Sequence, residues 1–390
     1  MDDELAKSRL AFHENMELVS VPAASETRAP TAVSRFMSTR AAWLPGSDLK
    51  RLLLPAVEDQ PETVDERPAI ANRPMAAYGG HVYAQSALAA CKVVEEDEKQ
   101  RGVSNADGRL GLHTIHGTWN TPGQSDRPFI YEVAPVSTGR SFCTYLVNAR
   151  QPTSPSASGD HYTLADASSS PLDSTPCFTA LISLKLPEPH SGGANTQDVP
   201  PQRRFAEVLS SRPPDAWPPA PPLDLESVRQ VLGGAHPVGT FPTVDMRKVD
   251  LSAWNAGRGV ADRRELILYR LLRPLPLPAE APEGENAANR HVLVHAFESD
   301  RNSLLMIANH LGFGLALGRA ASLAYSIVVH VNAEEAVMAG EGWWIQEVAY
   351  PRAAAGRTTL LNKIWSPEGV HVATGMQDGV CRVQEGKGRL

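Results

Sequence analysis

HVLVHAFESDRNSLLMIANHLGFG, residues 291–314, is the stretch whose reading decides the fold. Val292, Val294 and Ala296 alternate with Leu293, His295 and Phe297, which predicts a strand buried on both faces. Leu304, Leu305, Ile307, Ala308 and Leu311 then recur at helical spacing. Ser299 or Asp300 is placed to cap this second element, and Gly312 and Gly314 end it. The helix is about two or three turns long, and from Leu304 to Ala308 it is apolar on nearly every side. Such a helix needs a wrapping, most simply a curved sheet. Asp300, a lone carboxylate at its open end, is the candidate for chemistry.

Upstream, RPMAAYGGHVYAQSALAACKVVEE (73–96) gives the other strong signal. Gly79 and Gly80 predict a tight turn or a close backbone approach. A helix follows, with Ala84, Ala87, Leu88, Cys91 and Val94 on one face, small enough for a sheet to pack closely. Strand-like runs come next at 112–119, 129–137, 141–151 and 177–186, with Thr138-Gly139 as a hairpin turn. Residues 152–176 are rich in Ser, Pro and Asp and read as a solvated insertion. Residues 187–242 hold 12 prolines and read as a stiff, extended linker without a core, broken by one short helix in 223–234.

After a strand at 265–275, a loop at 276–291 and the opening stretch come strands at 324–331, 342–351, 358–366 and 369–380. The order of elements in the second half repeats that of the first, without residue-level similarity. The expected fold class is therefore α+β, a double hotdog: two long helices, each wrapped by a curved antiparallel β-sheet. The expected divisions are a flexible arm over 1–35, one unit over 36–190, the Pro-rich linker over 191–240 and a second unit over 241–390.

Composition narrows the function. A chain of 390 residues with 42% apolar and 21% charged residues is of the soluble globular type. A net charge of −7 gives no general attraction for nucleic acid or anionic membrane. No apolar run approaches the ~20 residues needed to span a bilayer, and the start lacks the apolar core of a secretion signal. Cys91, Cys143, Cys177 and Cys381 are widely spaced, without a CxxC pair, so buried free thiols are expected rather than a metal site. The final Gly388-Arg389-Leu390 resembles a degenerate peroxisomal address. The expected location is cytoplasmic or peroxisomal.

The blocks YGGHVYAQSALAA, LHTIHGTWNTPGQSDRPFIYEVAPVSTGRSFCTYLVNARQ, CFTALISLKLPEP, AFESDRNSLLMIANHLGFG, ASLAYSIVVHV and GVHVATGMQDGVCR, in this order, resemble the acyl-CoA thioesterase II family. The resemblance covers roughly residues 73–151, 177–190 and 241–383. It implies a tandem hotdog hydrolase that splits an acyl-CoA or related thioester with water, without metal or organic cofactor. It also implies a catalytic set of an Asp at the second helix, a hydroxyl residue on the following strand and a Gln on the last strand. These fall on Asp300, Ser322 and Gln377. Gly79, Gly80 and His81 fall at the substrate-binding helix start. Ser322 replaces the more usual Thr, and His81 stands where Gln is more common. These departures, with Asn148 and the 152–176 insertion, bear on substrate choice more than on reaction type.

From the residues alone, Asp300 reads first as a simple helix cap and, if it does chemistry, as an ionised base or water-orienting carboxylate. Its ordinary pKa is near ~3.9, and acting as an acid at neutral pH would need roughly 4 kcal/mol of desolvation. Ser322 and Gln377 can hold an attacking water, and amides at a helix start can receive an oxyanion. Two other reactivities remain open. Hydration or dehydration of an enoyl thioester uses an Asp-x-Asn-Pro-Leu-His pattern; Asp300 and Asn302 fit it, but Ser303 replaces Pro and Leu305 replaces His. A non-catalytic acyl-binding protein would not need all three polar positions. Release of a polyketide or carrier-protein thioester, and assembly into a homo-oligomer, also remain open.

Overall fold

The computed structural model describes residues 7–22, 33–47, 76–103, 108–189, 194–234 and 236–383. The 388–390 tail lies outside them. The strands in the described residues are β1 (Leu18–Ser20), β2 (Ser34–Ser38), β3 (Gly111–Trp119), β4 (Ile130–Thr138), β5 (Phe142–Arg150), β6 (Phe178–Lys185), β7 (Val244–Lys248), β8 (Arg264–Leu271), β9 (Leu317–Val329), β10 (Trp344–Ala354), β11 (Arg357–Trp365) and β12 (His371–Val383). Four helices matter to the site: α1 (Gly79–Gln100), α2 (Glu226–Val231), α3 (Ala287–Glu298) and α4 (Ser303–His310).

Period-two alternation turns one face of each strand inward. Along β5, Cys143, Tyr145, Val147 and Ala149 are buried while Thr144, Leu146, Asn148 and Arg150 are not. The strands join into one sheet in the order β1-β2-β4-β5-β6-β3-β9-β12-β11-β10-β8-β7, and every pair is antiparallel. The order reads as a palindrome. From the central β3–β9 seam outward, each half runs through the same succession of strands. α1 precedes β3 as α3 precedes β9.

α1 packs its small residues against the sheet, with Ala84, Ala87, Ala90, Cys91 and Val94 buried. α1 and α3 lie side by side. Their directions are opposed, because Gly80 meets Asp300 just past the end of α3 while Asn286, just before α3, donates its N–H to Glu95 near the end of α1. Gly80 permits this closeness. A β-carbon there would overlap the Phe297 carbonyl oxygen and sit 2.7 Å from the Tyr78 ring.

The structure corrects four expectations. Residues 291–298 are helix, not strand, and all eight are buried. A helix enclosed on every side carries no polar phase, so its sequence reads equally well as a doubly buried strand. The second helix is accordingly not one long rod but α3 and α4 separated by a turn. The first 35 residues are not a free arm where described: Ala11, Phe12, Met16 and Leu18 are buried, and β1 and β2 form an edge. The Pro-rich segment is not bare linker either. Phe205 and Trp217 pack with Leu266, Leu268, Ile345 and Trp365, and Leu223, Leu225 and Val228 pack with Ala308, Leu317 and Cys381. The one short helix expected there is α2, and two further helical turns, Pro201–Arg204 and Ala206–Ser210, precede it. The four cysteines are buried thiols.

Candidate active site

The turn between α3 and α4 carries Asp300. It forms because Asn302 adopts φ +59°, a left-handed conformation that Asn tolerates better than most residues. Asn302, not Ser299 or Asp300, is the residue that precedes α4, and it makes no side-chain cap. The Pro-rich segment grips this turn from outside. Arg301 donates to the carbonyls of Pro222 (2.8 Å) and Pro221 (3.0 Å), and the Asn302 amide donates to Pro221 (2.9 Å). Prolines lack an N–H but retain the acceptor, which is all this contact needs.

Asp300 reaches across to the start of α1. Its Oδ2 accepts the Gly80 N–H at 2.9 Å. Its Oδ1 accepts the Gln377 Nε2–H at 2.6 Å and faces the Ser322 hydroxyl at 3.5 Å. The Gln377 amide also donates to Ser322 Oγ at 2.6 Å. The structure thus brings Asp300, Ser322 and Gln377 into one cluster, with Gly80 supplying the fourth group. Gly79 is flush against it, since a β-carbon there would lie 2.7 Å from Asp300 Oδ2. His81 follows in the same helical turn, fully buried, with neither ring nitrogen hydrogen-bonded among the described residues. Burial pushes its pKa down to about 4, so it is neutral at pH 7.

A β-bulge lets β9 contribute Ser322. Gly379 pairs with Ser322 but Asp378 pairs with Ala324, so one extra residue sits on β9 between them. Ser322 and Tyr325, three apart, would otherwise face opposite sides of the sheet.

The expected ordinary acidity of Asp300 does not hold. Burial pushes its pKa up to about 7, against the opposing pull of the Gly80, Gln377 and Ser322 hydrogen bonds. The site supplies the desolvation that a raised pKa requires, and it leaves the carboxyl near half-ionised at neutral pH.

Glu298 is a second buried carboxyl, in the last turn of α3 and 0% exposed. Neither oxygen has a hydrogen-bond partner among the described residues. Burial holds its pKa well above the carboxylate range. A raised folded-state pKa gives stability that is full below the unfolded value and lost as pH rises through the folded one. Glu298→Gln is therefore expected to stabilise the protein at pH 8, with a smaller gain at pH 5. Urea unfolding at both pH values checks this; an equal or inverted gain would contradict it.

Among the described residues no cluster of three His, Cys, Asp or Glu side chains has the geometry to hold a metal, and no helix is long and apolar enough to cross a membrane.

Residues 70–170 match the family model described as the acyl-CoA thioesterase N-terminal domain. The chain carries an acyl-CoA thioesterase domain. Solved structures agree on a hotdog-type fold. An acyl-CoA thioesterase II, TesB2, of Mycobacterium marinum aligns with a TM-score of 0.53 at 20% identity, over 96% of this chain and 100% of that one. A tesB protein of Mycobacterium avium subs paratuberculosis aligns with a TM-score of 0.52 at 16% identity, over 95% and 98%. A hot dog fold protein of unknown function from Alicyclobacillus acidocaldarius aligns with a TM-score of 0.53 at 14% identity, over 96% and 98%. No curated protein sequence matches. The thioesterase-domain match includes the α1 start, with Gly79, Gly80 and His81, but stops short of Asp300.

The residues that sequence reasoning missed lie behind the cluster. Tyr325, Gln346 and Asn362 are buried polar side chains. Asn362 had a legible signal: it shares the inward phase of β11 with Thr358, Leu360 and Ile364.

Proposed function

We propose that the protein hydrolyses acyl-CoA thioesters at a single site centred on Asp300, within a double hotdog made of units 36–190 and 241–390. The observation that carries this reading is the Asp300 carboxyl, poised near neutrality and held between a hydroxyl, an amide and a helix start.

Ionised Asp300 takes a proton from a water held by Ser322 and Gln377. The hydroxide so formed attacks the thioester carbonyl carbon. The oxyanion meets the positive end of α1, where the helix dipole and first-turn amides favour negative charge. Collapse of the tetrahedral intermediate breaks the C–S bond and gives the acid and the thiolate. The thiolate takes the proton back from Asp300. Positioned base catalysis of this kind contributes on the order of 10²–10⁴-fold.

The test is thiol release from short-, medium- and long-chain acyl-CoAs, with loss of enoyl absorbance followed in parallel. Thiol release without enoyl hydration is expected; hydration without thiol release, or binding without turnover, would overturn the proposal. Because the ionised form is the base, kcat should rise with pH through a midpoint near 7 and level off above it. A profile flat from pH 5 to 9 would remove Asp300 from the role.

A further inference from the structure

Four buried polar residues form a ring behind the Asp300 turn, closed through the main-chain carbonyl of Ser299. The Tyr325 hydroxyl donates to Ser299 Oγ at 2.6 Å. The Asn362 amide donates to Tyr325 Oη at 3.2 Å. The Gln346 amide donates to Asn362 Oδ1 at 3.1 Å and to the Ser299 carbonyl at 2.8 Å. Ser299, Gln346 and Asn362 are 0% exposed and Tyr325 is 3% exposed. Gly375 makes the room: a β-carbon there would lie 3.0 Å from Tyr325 Oη and 3.4 Å from Asn362 Cβ.

Hydrophobic side chains of similar shape in these places would cost the fold little, because removing both partners of a hydrogen bond together is nearly neutral. The ring delivers geometry instead. The Ser299 carbonyl belongs to the peptide unit that leads into Asp300, and it accepts from both Gln346 Nε2 and Ser303 Oγ (3.1 Å). Two donors on one carbonyl fix the plane of that peptide, and with it the direction in which the Asp300 side chain leaves the turn. The same ring touches the strands of both partners of Asp300. Tyr325 lies on β9 with Ser322 and is paired across to Gln377 on β12.

We propose that Ser299, Tyr325, Asn362 and Gln346 are positioning residues that hold Asp300 in register with Ser322, Gln377 and the Gly80 N–H; this rests on the hydrolytic reading of the site. None of the four touches the reacting atoms. Their effect passes through the Ser299–Asp300 peptide.

The test is Tyr325→Phe, which removes one oxygen, beside Gln346→Met and the double variant. Each single change is expected to lower kcat about tenfold with KM within about twofold. The double variant should lose no more than the worse single one, since residues acting as one unit are non-additive. Asp300 titration, followed as the carboxyl infrared signal absent from Asp300→Asn, should move upward in Tyr325→Phe as the carboxylate loses donors. Additive losses, or a lower melting temperature with kcat and the titration unchanged, would reduce the ring to a structural role. If the wild type releases no thiol, the hydrolytic reading fails while the Asp300 titration still decides the positioning claim: a shift supports it and no shift overturns it. Should Tyr325→Phe not fold, Gln346→Met carries the same readouts.

Discussion

Asp300→Asn is expected to lower kcat for thioester hydrolysis by 10²–10⁴-fold and at the same time to raise the melting temperature. The asparagine has the shape of the aspartate, so its Oδ1 can still accept the Gly80 N–H. Its amide then faces Gln377, whose own Oε1 is buried without a partner among the described residues. Rotating the Gln377 amide supplies the missing acceptor, and the cluster survives without a base. The stability change follows from the raised pKa. With a folded-state value of about 7 against 3.8, stability is full below 3.8 and lost as pH rises through neutrality. Asparagine has no proton to lose. At pH 8 the variant should melt a few degrees above the wild type (roughly 2–4 °C per kcal/mol), and at pH 4 the two should converge. Thiol release and calorimetry at the two pH values check both halves. An active variant would sink the mechanism; an inactive but less stable one would show that Asp300 holds the fold rather than strains it.

Gly80→Ala is expected to damage both the fold and the rate. In an open helical position alanine would gain about 0.5–1 kcal/mol over glycine. Here the added methyl meets the backbone oxygen of Phe297 and two Tyr78 ring carbons at 2.7 and 2.8 Å. Backbone cannot step aside as a side-chain tip can. Tyr78 is itself pinned, its hydroxyl donating to that same Phe297 oxygen at 2.6 Å. Overpacking of this kind costs about 1–3 kcal/mol, which exceeds the helical gain. The start of α1 must retreat, and the Gly80 N–H leaves Asp300. A displacement of about 1 Å at such a site is worth 10²-fold in rate. Gly79→Ala is the contrast, because its methyl would meet the Asp300 carboxylate at 2.7 Å, not backbone. It should lose rate with less loss of stability. Thermal melts and thiol release on both variants separate the two effects.

Strand-phase residues made much of this fold readable. The inward run Cys143, Tyr145, Val147, Ala149 needs only alternation to be seen. The stretch 291–298 is unreadable by the same rule because no residue in it faces water. Asp300, Ser322 and Gln377 are named together by family resemblance, not by pattern. The bulge on β9 overrides the parity that would put Ser322 and Tyr325 on opposite faces, and a bulge leaves no mark in one sequence. The acidity of Asp300 was equally hidden. It depends on desolvation by chain segments remote in sequence, among them the start of α1, some 220 residues away. Asn362, in contrast, stands in an apolar phase and could have been singled out as a buried polar group in need of partners.

The prolines beside β7 have a consequence for self-association. An open sheet has two rims, and any rim with free amides can template a foreign strand. Here one rim ends in the three-residue β1. Along the other, Ala220 and Lys248 exchange bonds with Met246 and Pro218, flanked by Pro219, Pro221 and Pro222. That outer layer has almost no N–H to offer a newcomer. The segment that steadies the Asp300 turn from outside therefore also seals the sheet against fibre-like growth.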